Sequence, residues 1–180
     1  MVGTSWQPGG TLEWRQPGSV KEGYVLTAGN EEAARLHMNG WRVSSARGES
    51  AFGTWTFKKD GFWRARYLIR EEGTEVDVAE FFPRWHWSSG RIQFANGKEF
   101  LWKAEGVFSR TYSVSDMAGT LVIRLREGLG KSFWKDMFKQ QGRIELGSTH
   151  VDPKTASILS LFAWHMVLVS RQQRAAASAG

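Results

Sequence analysis

The stretch Ile158-Leu159-Ser160-Leu161-Phe162-Ala163-Trp164-His165-Met166-Val167-Leu168-Val169 decides the fold, because it is apolar on every face. A helix of that kind is either buried inside a protein or set in a membrane. Crossing a bilayer takes about 20 consecutive apolar residues. This run is shorter and contains His165, so its length favours a core helix. Asp152 stands ahead of Pro153, an N-cap followed by the residue best suited to the first helical position. Arg171 and Arg174 close the segment, where the helix dipole favours cations.

A core helix needs a wall, and the chain ahead of it reads as strands. Thr11-Leu12-Glu13-Trp14-Arg15 alternates apolar and polar residues, and 23–28 follows as a second strand. Residues 31–38 fit a short helix or a strand with Ala34, Leu36 and Met38 inward, and the hairpin context favours the strand. The turn signal Arg47-Gly48-Glu49 separates 41–46 from 51–58. Asp60-Gly61 predicts a two-residue type I′ turn into 62–70, where Trp63, Ala65, Tyr67 and Ile69 share one face. Asn96-Gly97 predicts a second such turn, between 90–94 and 99–105. Strands at 75–82, 107–114, 120–126 and 143–146 complete the run, and 127–141 is the least readable part. Turns recur about every ten residues, the spacing of a sandwich or barrel. The expectation is one domain, 11–174, with flexible termini at 1–10 and 175–180.

Composition narrows the class. A chain of 180 residues is the size of one domain with a substantial core. Ten Trp, eleven Phe and 20 Gly against 4 Pro favour short strands joined by glycine turns. The absence of Cys excludes disulfides, thiolate metal sites and a cysteine nucleophile, and leaves the compartment open. A net charge of +6 admits an anionic partner, either nucleic acid or a lipid surface. Residues 1–6 show no basic segment followed by an apolar run, so the default expectation is a cytoplasmic protein, peripheral at the membrane if it binds lipid.

Several segments together resemble the tubby-like superfamily. They are the Gly53-Thr54-Trp55-Thr56-Phe57 strand, the hairpin from Gly90 through Asn96-Gly97 to Phe100, Trp102, the strand pair around Gly119 and the apolar terminal helix. That superfamily comprises tubby C-terminal domains, plant LURP-one-related proteins and phospholipid scramblases, and the similarity is greatest to its small uncharacterised bacterial members. The resemblance runs from about Thr11 to Arg171. It implies a mainly β fold, a closed antiparallel β-barrel of about twelve strands around a buried C-terminal hydrophobic helix; closure removes exposed edges. The scramblase palmitoylation cluster has no counterpart in a chain without Cys. The scramblase calcium segment is also unmatched, since residues 147–155 offer only Asp152. Tubby domains bind phosphoinositide headgroups through surface Lys and Arg, and that pocket does not align here residue by residue.

The residues themselves offer one candidate lipid contact, the hairpin carrying Lys58, Lys59, Phe62, Trp63, Arg64 and Arg66. Trp beside Lys and Arg suits an anionic bilayer interface. The competing reading starts a strand at Phe62 with the cations simply solvated. Trp85 and Trp87 alternate with Arg84 and His86, a pattern of either core packing or a stacking platform for sugars or bases. His37, His86, His150 and His165 share no metal-ligand spacing, so no metal or cofactor is expected. His165 is expected to be buried with a backbone partner. Phosphate loops, nucleophile elbows and paired carboxylates are absent from the sequence, so no catalytic residue is assigned and an enzyme is not expected. Three functions remain: a lipid-headgroup or membrane-surface binder, a structural or protein-interaction module without a small ligand, and a Trp-based carbohydrate or nucleic-acid barrel. The first is preferred, and nucleic acid is the least favoured partner.

Overall fold

The computed structural model describes residues 6–17, 23–39, 44–61, 65–84, 88–105, 110–128, 141–147 and 151–178. Within them lie β1 (Thr11–Arg15), β2 (Gly23–Ala28), β3 (Glu31–Met38), β4 (Ser45–Ser50), β5 (Gly53–Asp60) and β6 (Arg66–Glu71). Next come β7 (Asp77–Pro83), β8 (Ser89–Phe94), β9 (Glu99–Ala104), β10 (Thr111–Asp116), β11 (Leu121–Glu127), β12 (Gly142–Leu146) and the helix α1 (Pro153–Ser178). Each strand pairs antiparallel with its sequence neighbours, and β1 closes on β12. The result is a closed barrel of twelve described strands, as the resemblance implies.

Strand alternation sends one face inward. Trp14, Leu26, Leu36, Phe57, Ile69, Phe81, Ile92, Trp102, Val114, Leu125 and Ile144 are buried, and α1 fills the space between them. Residues 155 to 169 of α1 are all buried, which fits an apolar segment enclosed by the wall. Trp164 stacks on Trp14 at a centroid distance of 5.6 Å, and Phe162 meets Phe57, Tyr67 and Phe81 at 6.0, 6.2 and 5.2 Å. Asp152 caps the helix, its Oδ1 accepting from Thr155 N–H at 2.9 Å, and Pro153 follows as expected. β3 is a strand, with Ala34, Leu36 and Met38 inward. No helix among the described residues is long and apolar enough to cross a membrane.

Four expectations change. Arg47-Gly48-Glu49 is no turn but lies inside β4, and the chain reverses at 51–52. Gly48 is there for space: a Cβ on it would sit 2.8 Å from the Phe57 ring and 3.1 Å from Leu161 of α1. Asp60-Gly61 does not form a two-residue turn either. Asp60 pairs with Arg66, so five residues separate the strand ends and β6 starts at Arg66 rather than Phe62. At Asn96-Gly97 the turn starts earlier, at Phe94, whose C=O accepts from Gly97 N–H at 2.9 Å. Phe94 N–H then donates to Lys98 C=O at 2.8 Å, and Gly97 takes a φ of +85°. That is a three-residue loop, which needs one left-handed residue instead of two. Gly119 repeats it against Asp116.

The fourth change concerns His165. It is fully buried as expected, yet neither ring nitrogen has a hydrogen-bond partner among the described residues. Phe57, Tyr67 and Phe162 surround the ring instead, at 5.9, 5.4 and 6.5 Å. Burial pushes its pKa down to about 3, so it is neutral.

The described residues at both ends of the chain carry structure. Trp6 is buried and Gly9 N–H donates to Leu146 C=O at 3.0 Å, which ties part of the 1–10 segment to β12. At the other end, α1 continues past Arg174 to Ser178.

Candidate functional site

An up-and-down barrel sorts its connections by parity. Odd strands run one way and even strands the other, so every second connection lies at the same end. At the end where α1 enters, the hairpin connections are 29–30, 51–52, 72–76, 95–98 and 117–120. At the end where α1 leaves, they are 16–22, 39–44, 61–65, 84–88, 105–110 and 128–141. The first set is two to five residues long, the second five to fourteen.

Composition divides the same way. The short set contains one Lys, two Glu and a single aromatic, Phe52. The long set contains eight Lys or Arg against three Asp or Glu. It also holds nine aromatics, among them Trp41, Phe62, Trp63, Trp85, Trp87 and Trp134. We call these ends the sealed end and the open rim. Five of the ten Trp (Trp6, Trp14, Trp55, Trp102 and Trp164) are buried in the core, and the other five belong to the rim connections.

Phe62, Trp63 and Arg64 of the candidate hairpin lie outside the described residues, as do Trp85, His86, Trp87 and His150. Lys58 and Lys59 are exposed on the last residues of β5, at the open rim. They do not share a face: Lys59 follows the inward alternation of Trp55 and Phe57, and Lys58 points outward opposite Leu68. Arg66 lies beside them but is engaged, donating to Asp60 at 3.1 Å and Glu80 at 2.7 Å. His37 is half-buried on the outer face of β3, away from His165.

A second cluster at this rim was not singled out from sequence. Glu127, the last residue of β11, buries its side chain to 4% exposure under the departing end of α1. Arg174 Nη2 donates to its Oε1 at 2.8 Å, and Arg171 Nε stands 3.5 Å from its Oε2. Tyr112 O–H donates to the same Oε1 at 2.8 Å and accepts from Arg174 at 3.3 Å. Burial, reinforced by the Glu127 carboxylate, pushes the Tyr112 phenol up to about 12, so it remains a donor. Tyr112 is fixed by stacking on Trp102 at 5.1 Å. The sequence signal was an arginine pair three residues apart beyond the apolar run, read only as a helix stop.

The outer wall carries charged rather than apolar side chains. Arg47 pairs with Glu72, Arg70 with Asp77, and Arg143 with Glu13. A lipid-facing barrel wall has the opposite character. Large exposed apolar residues among those described are Val76, Phe82, Leu101 and Met117. Phe82 and Leu101 flank Arg91 across β7, β8 and β9.

The fold therefore defines a closed antiparallel barrel wrapped around its own C-terminal helix, with a basic, aromatic-rich set of connections at one end. A crystal structure of a protein from Arabidopsis thaliana is similar, with a TM-score of 0.55 over 96% of this chain and 98% of that one. The two share 10% identity, so the likeness shows the fold alone. No family model matches the sequence, and no curated protein does.

Proposed function

We propose that this chain is a non-enzymatic, tubby-like barrel domain that docks its open rim on an anionic lipid surface. One observation carries the reading: the six connections richest in aromatic and basic residues all belong to a single end of the barrel. Interfacial Trp and clustered Lys and Arg are the two side-chain classes that hold a protein at an anionic bilayer surface. The sealed end has neither, so docking has a direction. The superfamily placement rests on the order of hairpins and terminal helix, together with the shared architecture of the plant protein.

Two features favour binding over catalysis. The half-buried carboxyl of Glu13 is paired to Arg15 and Arg143 at 2.7 and 3.2 Å. The Arg15 bond, opposed by burial and joined by Arg143, holds its pKa below the usual range, unlike a general acid. The Glu127 carboxylate is likewise occupied by two arginines and a tyrosine.

Co-sedimentation with vesicles tests the proposal. Binding is expected to vesicles containing phosphatidic acid or phosphatidylserine and not to pure phosphatidylcholine, and to weaken as salt rises from low to physiological strength. Equal binding to neutral and anionic vesicles, or none to either, contradicts it.

A further inference from the structure

We propose that Arg171 and Arg174, at the departing end of α1, form a phosphate-binding subsite of the open rim that Glu127 occupies when no phosphate is present. Two guanidiniums converge on one carboxylate, so the cluster keeps an excess positive charge. The carboxylate lies beneath, at 4% exposure, while Arg171 and Arg174 stand between it and solvent at 32% and 51%. Arg171 Nη1 is buried and finds no hydrogen-bond acceptor among the described residues. A buried donor without an acceptor is costly.

An anion with several acceptor oxygens would meet this donor and balance the excess charge. A phosphate monoester suits this, because a guanidinium fork bonds two of its oxygens at once. Tyr112 adds a hydroxyl held in place by its stack on Trp102. No bond is made or broken; phosphate takes the place of Glu127 as counter-ion. The chemistry does not depend on the membrane reading, although a lipid source for the phosphate rests on it.

The test uses the full chain with two probes, inorganic phosphate by titration calorimetry and phosphatidic acid vesicles by co-sedimentation. Glu127→Gln keeps the size of the side chain and removes the competing charge. It is expected to tighten phosphate binding about tenfold, the scale of one charge-assisted hydrogen bond. That gain runs opposite to any loss of stability, so it is readable even if the variant is less stable. Arg171→Gln combined with Arg174→Gln is expected to weaken both probes at least about tenfold on the same scale. Arg35→Gln, on the outer face of β3, serves as the control and is expected to change neither.

If wild type and both rim variants bind inorganic phosphate alike, or none binds it, the subsite is wrong. If vesicle binding persists undiminished in the arginine double variant, the rim proposal stands and the subsite falls. If Glu127→Gln enhances phosphate binding while vesicles bind no variant, the subsite stands and the membrane proposal falls.

Discussion

The two ends of the barrel are made by the same device, a reversal between antiparallel strands, and yet they differ in every property that bears on function. At the sealed end, turns are short, the helix is capped by Asp152 and Lys98 reaches across to that cap at 2.8 Å. At the open rim, connections are longer and basic, and the helix departs beside a buried carboxylate ringed by arginines. Along the chain, connections poor in aromatic residues alternate with six that hold nine aromatics, Trp in four of them. The barrel turns that alternation into a polarity in space. A single hairpin such as Lys58 to Arg66 is a weak signal by itself; six connections at one end of the barrel are a stronger one.

The strongest way to break this comparison is to move charge at one end only. Replacing Lys58, Lys59 and Arg110 with Gln removes three exposed cations at the open rim. At about 1 kcal/mol per cation near an anionic surface, vesicle affinity is expected to fall on the order of 100-fold at low salt. Lys98→Gln with Lys154→Gln, at the sealed end, is expected to leave vesicle binding within about twofold, since these cations pair with Asp152 and Glu71. Equal losses from both sets would mean that net charge, and not the rim, drives binding.

The interior between the ends gives a prediction about acid. His165 is held neutral by burial at a pKa of about 3, whereas the unfolded chain titrates near 6.5. Below 6.5 the unfolded state binds the extra proton first. The stability present above that pH is therefore lost progressively as pH falls toward 3, by about 2 kcal/mol between pH 7 and 5. Tyr67, the other titratable group against this ring, is pushed up to about 12 by burial and stays neutral throughout. Carboxylates titrate in any variant, so the measurement is a difference. His165→Leu is expected to flatten the denaturation midpoint between pH 7 and 5 relative to wild type. Parallel pH profiles would show that His165 does not carry the acid sensitivity.

The same contrast explains what the sequence disclosed. Interior features were legible because they repeat with a fixed period. The apolar run of α1, the alternation of β3 and the Asp152-Pro153 start all stand as read. Gly48 misled because the glycine a turn uses and the glycine a close helix contact needs are the same letter, and only the Leu161 contact separates them. The rim was hardly legible at all. Its described parts, Lys58, Arg110, Glu127, Arg171 and Arg174, are spread over more than half of the chain and come to one end of the barrel only after closure. Glu127 fell in the stretch with no readable pattern, and its significance depends on a buried position under α1 that no local window contains.

The smallest expected effect sharpens the comparison from the sealed end. Asp152 accepts from Thr155 N–H at 2.9 Å and from its hydroxyl at 2.8 Å, and it also pairs with Lys98. Burial raises its pKa, but Lys98 and Thr155 outweigh that and hold the carboxyl down to about 2. A depressed carboxyl contributes stability above its unfolded pKa and loses it as pH falls through the folded value, so the cap works fully near neutral pH. Asp152→Ala is expected to cost about 1 kcal/mol in urea denaturation at pH 7. Asp152→Asn keeps a cap acceptor and loses the ion pair, so it should cost less than the alanine variant. Both variants should bind anionic vesicles like wild type, because the rim lies at the opposite end of the helix. A loss of vesicle binding with either variant, at temperatures where it remains folded, would show that the two ends are coupled through α1 and do not act independently.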